Sequence, residues 1–326
     1  NLDLRVRAIA RSKTMRLAPR RLDLARWQVD DDRIDFDADA FAAHVHADHI
    51  PHAVIVDCTS SDAIADYYAG WLARGIHVVT PNKKAFSGNL ERYDRIREAA
   101  RESGAQIYYE TTVGAALPVV RALRDLIDTG DDVKSIAGIL SGTLAYLFNV
   151  YDGSRPFSEI VAEARSNGYT EPDPRDDLSG MDVARKLTIL ARELGQRIET
   201  GDFPVENLIP DALRDGDVDD FLARLPEYDH EMQARLEEAN SAGRALRYIA
   251  SLEVDGEAAV GLQAVDAEHP FCSIALTDNI VQYRSDRYAK NPLVIQGPGA
   301  GPQVTAGGVF GDMLKLAGSL GSEPRS

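Results

Sequence analysis

The sequence predicts an α/β protein: a doubly wound parallel sheet followed by an α+β domain. Three observations carry the prediction. Strand-like and helix-like segments alternate through the first 113 residues, the pattern of βαβ units. One of those strands, VIVDCT at Val54–Thr59, is a near-continuous apolar run of the kind buried in parallel sheets. Beyond residue 113 the alternation gives way to grouped helices and then grouped strands.

Taken in order, Leu4–Ala10 (LRVRAIA) reads as a strand and Val54–Thr59 as the next parallel one. Ala63–Arg74 has helical spacing and is stopped by Gly75. His77–Thr80 is a strand ended by Pro81, Leu90–Ser103 a helix, and Ile107–Val113 a strand. Ligands of such sheets bind beyond the carboxyl ends of the strands, where CTSS and TPNKKA fall. Leu117–Ile127 reads as a helix, Val133–Leu140 as a strand, and Leu144–Tyr151, Phe157–Ser166 and Met181–Leu194 as helices. Strands follow near Leu246–Val254, Ala258–Val265 and Ile280–Arg284, after an acidic stretch, Asp211–Glu238, that reads as exposed helices. The C-terminal LVIQGPGAGPQVTAGGVFGDMLKLA is strand, glycine loop and helix, expected to return to the first domain. The domain reading is therefore 1–113 for nucleotide binding, 114–290 for substrate binding, catalysis and dimerisation, and 291–326 for the return.

A Rossmann-like domain begins with a strand and a G-x-G-x-x-G turn before its second strand. This sequence starts at what reads as that second strand, so the first strand and glycine turn are missing. Truncation by roughly 30–40 residues, the size of a βαβ unit, is the favoured explanation over a degenerate cofactor site.

Bulk properties exclude several classes. The 326 residues suit two domains, and 44% hydrophobic residues suffice for ordinary cores. No apolar run reaches membrane-spanning length, and NLDLRVRAIARSK interrupts any signal-like stretch with charge. A net charge of −16 disfavours nucleic acid and anionic membranes. Two cysteines cannot frame a disulfide scaffold and suit the cytoplasm. The Asp-rich, Lys-poor composition fits either salt adaptation or codon bias.

The densest chemistry lies in Gly168–Lys186, GYTEPDPRDDLSGMDVARK. Glu171, Asp173, Asp176 and Asp177 occupy a proline-stiffened loop, and the helix that follows carries Asp182 and Lys186 four residues apart, on one face. Such a carboxylate and ammonium can converge on one small polar molecule. Acid this dense is expensive to bury without a ligand, and a substrate with an amine and a reactive carbonyl or hydroxyl fits. The bland alternative is a surface i,i+4 salt bridge. Asp173 and Asp176 read as structural, since Pro172 and Pro174 fix a loop whose amides need acceptors.

Together VIVDCTSS, VVTPNKKAFS, YETTVGAALPV, ILSGTLAYLF, GYTEPDPRDDLSGMDVARK and IQGPGAGPQVTAGGV resemble homoserine dehydrogenase, in order and over nearly the whole chain. The resemblance implies reduction of L-aspartate 4-semialdehyde to L-homoserine with a nicotinamide cofactor, in threonine, methionine and isoleucine biosynthesis, by a cytoplasmic homodimer. Some members of the family are fused to aspartate kinase. It implies Lys186 as proton donor and acceptor, expected to be partly desolvated when ligands bind, with Asp182 orienting it and binding substrate. Glu171 would hold the substrate ammonium, with Asp177 supporting. Lys83 would contact the nicotinamide ribose and the reacting centre, with Lys84 secondary; Thr59 and Ser60 would bond the cofactor, and Gly168 and Gly301 allow its close approach. Glu110, Val113, Ala115 and Leu117 match a monovalent-cation site, with sodium expected.

Cofactor choice rests on Arg11, Ser12 and Lys13. An acidic residue after the second strand binds the NAD ribose diol, whereas Arg or a small polar residue suits the 2′-phosphate, so NADP is favoured over NAD. The run His44, His46, His49 and His52 has no helical zinc spacing and reads as a solvated linker. Cys58 and Cys272 read as buried packing. Two alternatives stay open: another NAD(P)-dependent dehydrogenase of an amino-acid-like substrate, or a non-catalytic pseudoenzyme or dimerisation module.

Overall fold

The computed structural model describes residues 2–27, 32–47 and 50–320. The chain forms two compact units: 1–85, 91–109 and 309–326 in the first, 86–90 and 110–308 in the second.

The first unit opens with a small antiparallel sheet, β1 (Ala8–Ala10), β2 (Thr14–Leu17) and β3 (Ile34–Asp35), and helix α1 (Ala38–Val45) follows. The strand expected over Leu4–Ala10 is thus only three residues long, and it does not join the parallel sheet. The reason is local: Arg11 N donates to Thr14 O at 2.7 Å, closing a tight turn that folds β2 back onto β1. The parallel sheet is β4 (Ala53–Val56), β5 (Ile76–Val79) and β6 (Ile107–Tyr108), in that order and in parallel register. All four residues of β5 are buried, as an apolar central strand requires.

Helices α2 (Asp62–Ala65), α3 (Tyr68–Ala73), α4 (Lys84–Ser87) and α5 (Leu90–Ser103) connect these strands. The single helix expected over Ala63–Arg74 is two, and Gly75, at φ +80°, ends the second. The strand expected to reach Val113 stops at Tyr108, because Thr111–Gly114 coils into a helical turn, α6. A Cβ on Gly114 would lie 2.8 Å from the Val119 side chain, so this turn packs against the next helix without room to extend.

The second unit continues with α7 (Val119–Asp128), β7 (Val133–Ile139), α8 (Gly142–Val150), α9 (Phe157–Ser166), α10 (Pro174–Leu178) and α11 (Met181–Glu193). Then come α12 (Val218–Arg224), α13 (Asp229–Ser241), β8 (Arg244–Glu253), β9 (Ala258–Asp266), β10 (Asp278–Ser285), β11 (Leu293–Pro298) and α14 (Pro302–Ser319). The five strands form one antiparallel sheet in the order β11-β10-β7-β8-β9. A core cluster of Ile139, Ala145, Ile249, Phe271, Ile274 and Ile280 joins it to α8. Leu147 and Leu190 are fully buried, each contributing about 2 kcal/mol by removal from water. Helix α11 also buries Arg192, whose guanidinium donates to the carbonyls of Ile198, Phe86 and Gly88.

Two expectations change here. The acidic stretch is not simply exposed: Phe221, Leu225, Met232 and Leu236 are buried along one side of its helices. The C-terminal segment divides. Strand β11 pairs with β10 in the second unit, and only from Val309 does α14 pack in the first, with Val309 and Leu316 against Val79.

Candidate active site

The acidic loop and α11 are built around one carboxylate. Gly168 (φ +72°) closes the end of α9, with Tyr169 N donating to Ala164 O. The loop then runs out to Glu171 and returns at Asp173, whose side chain caps α10 by accepting from Arg175 N at 3.0 Å. Inside this bend, Asp177 accepts the Glu171 N–H at 2.8 Å and faces the Thr143 hydroxyl at 2.8 Å. That hydroxyl also lies 2.6 Å from the Tyr169 carbonyl. Burial is the main cause that raises the Asp177 pKa, and the charges of Glu171 and Asp182 add to it. Glu171, Asp177 and Asp182 therefore share one electrostatic neighbourhood. Glu171 and Asp176 are both exposed, and the Asp176 carbonyl accepts from Ser179 Oγ.

Helix α11 starts at Gly180, at φ +72°, and the position admits no side chain: a Cβ would sit 1.9 Å from the Tyr248 hydroxyl. From this start the helix sets Asp182 and Lys186 one turn apart. The Lys186 amine lies 2.9 Å from Asp182 and donates to the Leu140 carbonyl at 2.6 Å. The Lys186 side chain is 9% exposed and that of Asp182 43%, so the pair opens to solvent on the carboxylate side. Lys186 is thus largely shielded from water by the protein itself.

The residues matched to a cation site gather where α6 meets α7. Glu110 is buried and accepts the Val120 and Arg121 N–H groups at 2.7 and 2.8 Å. Ala115 holds φ +52°, a strained value for a residue with a side chain, and Gly308 packs so closely that a Cβ there would be 2.7 Å from the Ala115 carbonyl. A carboxylate together with backbone carbonyls is oxygen chemistry suited to a hard cation. Among the described residues, no cluster of three His, Cys, Asp or Glu side chains could hold a metal.

In the first unit, the loops beyond β4 and β5 are bound by a buried network that the sequence reading missed. The Asp57 carboxylate accepts from Thr59 N at 2.8 Å, the Tyr68 hydroxyl at 2.5 Å and Asn82 Nδ2 at 3.0 Å. Thr80 Oγ1 donates to the Asp57 carbonyl, and Asn82 Nδ2 also reaches Ser61 O. Asp57, Tyr68, Thr80 and Asn82 are all below 5% exposed, so the network is rigid. It holds the exposed Thr59 and Ser60, and the half-buried Lys83, on fixed backbone. Lys84 pairs with Asp62 at 3.1 Å. Arg11 lies in the β1–β2 turn with its guanidinium 5.5 Å from the centre of the Trp27 ring.

Two expectations, for the cysteines and the histidines, are revised. Cys58 is exposed, because the in–out alternation of β4 turns Asp57 inward and Cys58 outward; Cys272 is half-buried. The positive φ of Gly168 and of Gly301 (φ +111°) favours glycine at both, and a Cβ on either would meet no protein atom, which leaves the expected close approach of a ligand sterically open. His44 bonds the Ala18 carbonyl and His52 packs against the His77 ring, while His49 lies outside the described residues.

Comparison with known proteins gives consistent matches. A family model described as homoserine dehydrogenase matches residues 118–314, and one described as homoserine dehydrogenase, NAD binding domain, matches 1–110. The chain is 47% identical over 327 residues to a chloroplastic bifunctional aspartokinase/homoserine dehydrogenase 2 of Arabidopsis thaliana, covering 99% of this chain and 36% of that protein. It is 47% identical over 272 residues to a homoserine dehydrogenase of Schizosaccharomyces pombe, covering 81% of this chain and 72% of that one. The crystal structure of a Candida auris protein of unknown function superposes with a TM-score of 0.93 at 38% identity, covering 98% of this chain and 93% of that one. The chain thus spans about a third of the bifunctional plant relatives.

Proposed function

The chain belongs to the homoserine dehydrogenase family, and from that premise we propose that it reduces L-aspartate 4-semialdehyde to L-homoserine with NAD(P)H, in threonine, methionine and isoleucine biosynthesis. The observation that carries the reading is Lys186: a shielded ammonium fixed between the Leu140 carbonyl and Asp182, whose charge is felt, with that of Glu171, at Asp177.

Glu171 pairs with the substrate ammonium, and Asp177 holds the Glu171 backbone in place. Lys186 gives its proton to the oxygen that becomes the homoserine hydroxyl, and in oxidation it takes that proton back. Asp182 orients Lys186 and stabilises its charge. Such a positioned proton donor is worth about 10²–10⁴ in rate. Thr59 and Ser60 would hydrogen-bond a nicotinamide cofactor and Lys83 would contact its nicotinamide ribose and the reacting centre; the cofactor when bound supplies the hydride. Gly168 and Gly301 stay in this reading as positions of close cofactor approach. NADP is favoured over NAD, on Arg11, Ser12 and Lys13. A sodium ion fits Glu110 with the carbonyls of Val113, Ala115 and Leu117, where it would brace the start of α7.

The protein works as a homodimer in the cytoplasm on this reading. No helix among the described residues is long and apolar enough to cross a membrane. The test of the assignment is a comparison of turnover with homoserine, malate and glutamate semialdehyde. Homoserine should be used at least about 100-fold more efficiently than malate, because a site built to pair a carboxylate with the substrate ammonium rejects an analogue lacking that group. Equal use of malate contradicts the assignment.

A further inference from the structure

We infer that Asn279 is a positioning residue for Lys186, acting through the Leu140 carbonyl. The inference rests on the reading of Lys186 as the proton-transferring group.

Leu140 lies just past the end of β7, and its carbonyl is the meeting point of two side chains from different elements. Lys186 Nζ on α11 donates to it at 2.6 Å, and Asn279 Nδ2 on β10 donates to it at 3.2 Å. A carbonyl oxygen has two lone pairs, so Asn279 occupies one and leaves one direction for the amine. Because the carbonyl can only accept, the amide orientation is fixed with its NH₂ toward Leu140. The other amide atom, Asn279 Oδ1, is buried without any partner, in a residue 1% exposed. Leaving an acceptor unsatisfied at such depth is costly, and an aliphatic side chain would avoid it. The Nδ2 donor to Leu140 is what the amide gives in return.

The amide is also clamped from the outside. Gly299 crosses directly over it: a Cβ there would lie 2.1 Å from Nδ2 and 2.2 Å from Cγ of Asn279. The backbone of Asn279 is registered to Gly297 by the β10–β11 pairing. The glycine loop, the amide, the carbonyl and the amine therefore form one chain of contacts, all within the second unit. Its effect is to restrict where the Lys186 amine can point, and misplacement of a reacting group by about 1 Å can cost about 100-fold in rate.

The test is a double-mutant comparison in the full-length protein. Asn279→Ser and Asn279→Ala are each made in the native background and in Lys186→Ala, and homoserine oxidation is followed at saturating cofactor. In the native background kcat should fall about 10- to 100-fold while KM for homoserine changes little. In Lys186→Ala, the same changes should cost almost nothing further, because residues acting as a unit are non-additive. Gly299→Ala, which displaces the amide without removing it, should repeat the pattern and serves if the Asn279 variants do not fold. Equal losses in both backgrounds, or no loss of kcat in the native one, overturn the inference. If Lys186→Ala alone keeps near-native turnover, the catalytic reading fails and this inference with it. If Lys186→Ala is inactivated but Asn279 losses are additive, only the inference fails.

Discussion

The Thr143 hydroxyl stands 2.8 Å from the Asp177 carboxyl and 2.6 Å from the Tyr169 carbonyl, with a single proton to offer two acceptors. The conflict is resolved when Asp177 carries a proton of its own, and burial pushes its pKa in that direction.

A folded pKa above the unfolded one means that the native state binds more protons. Stability from Asp177 is then fully present below its ordinary carboxylate value and is lost as pH rises through the raised one. Asp177→Asn mimics the protonated acid: its NH₂ can donate to Thr143 while its oxygen accepts from Glu171 N. Urea unfolding across that window should show a smaller fall in stability with pH for Asp177→Asn than for the native protein. An unchanged slope removes Asp177 from the account.

Glu171 is exposed and its backbone is pinned by Asp177, so its substitution should spare the fold. Glu171→Gln should raise KM for homoserine by about 10- to 100-fold, the loss of one charge-assisted hydrogen bond, with a smaller effect on kcat. An unchanged KM assigns the substrate ammonium elsewhere.

Gly180→Ala meets both a strained φ and the Tyr248 hydroxyl. Thermal unfolding should show a loss of about 2–4 kcal/mol, from overpacking together with left-handed backbone strain. Pairing it with Tyr248→Phe should relieve part of that loss, since the nearest clashing atom is removed.

Arg11→Asp should weaken NADPH more than NADH, by about tenfold or more, because a carboxylate repels the 2′-phosphate and suits the ribose diol. Equal weakening of both cofactors contradicts the NADP preference.

Much of this was legible in the sequence, for physical reasons that differ by element. Helices α5 and α9 follow from local periodicity, and the Asp182–Lys186 pair from i,i+4 spacing alone. The acidic loop stands out because prolines and carboxylates are dense within 19 residues of chain. What was not legible depends on distant partners. Asp57 and Asn82 are 25 positions apart and meet only because β4 and β5 are in parallel register. Asn279 and Leu140 are 139 apart, joined by the β7–β10 pairing. Gly180 looks like any loop glycine until Tyr248 arrives from β8. The first strand was misassigned because LRVRAIA has strand composition, and composition does not say which sheet it joins.

The central claim is that Lys186 moves the proton at the substrate oxygen. The most direct measurement is the turnover of homoserine by Lys186→Ala, with homoserine binding followed separately by calorimetry. The account predicts that kcat falls by about 10²–10⁴ while homoserine affinity, held by Glu171, weakens far less. Turnover within a few-fold of the native enzyme, with the variant folded, would contradict it.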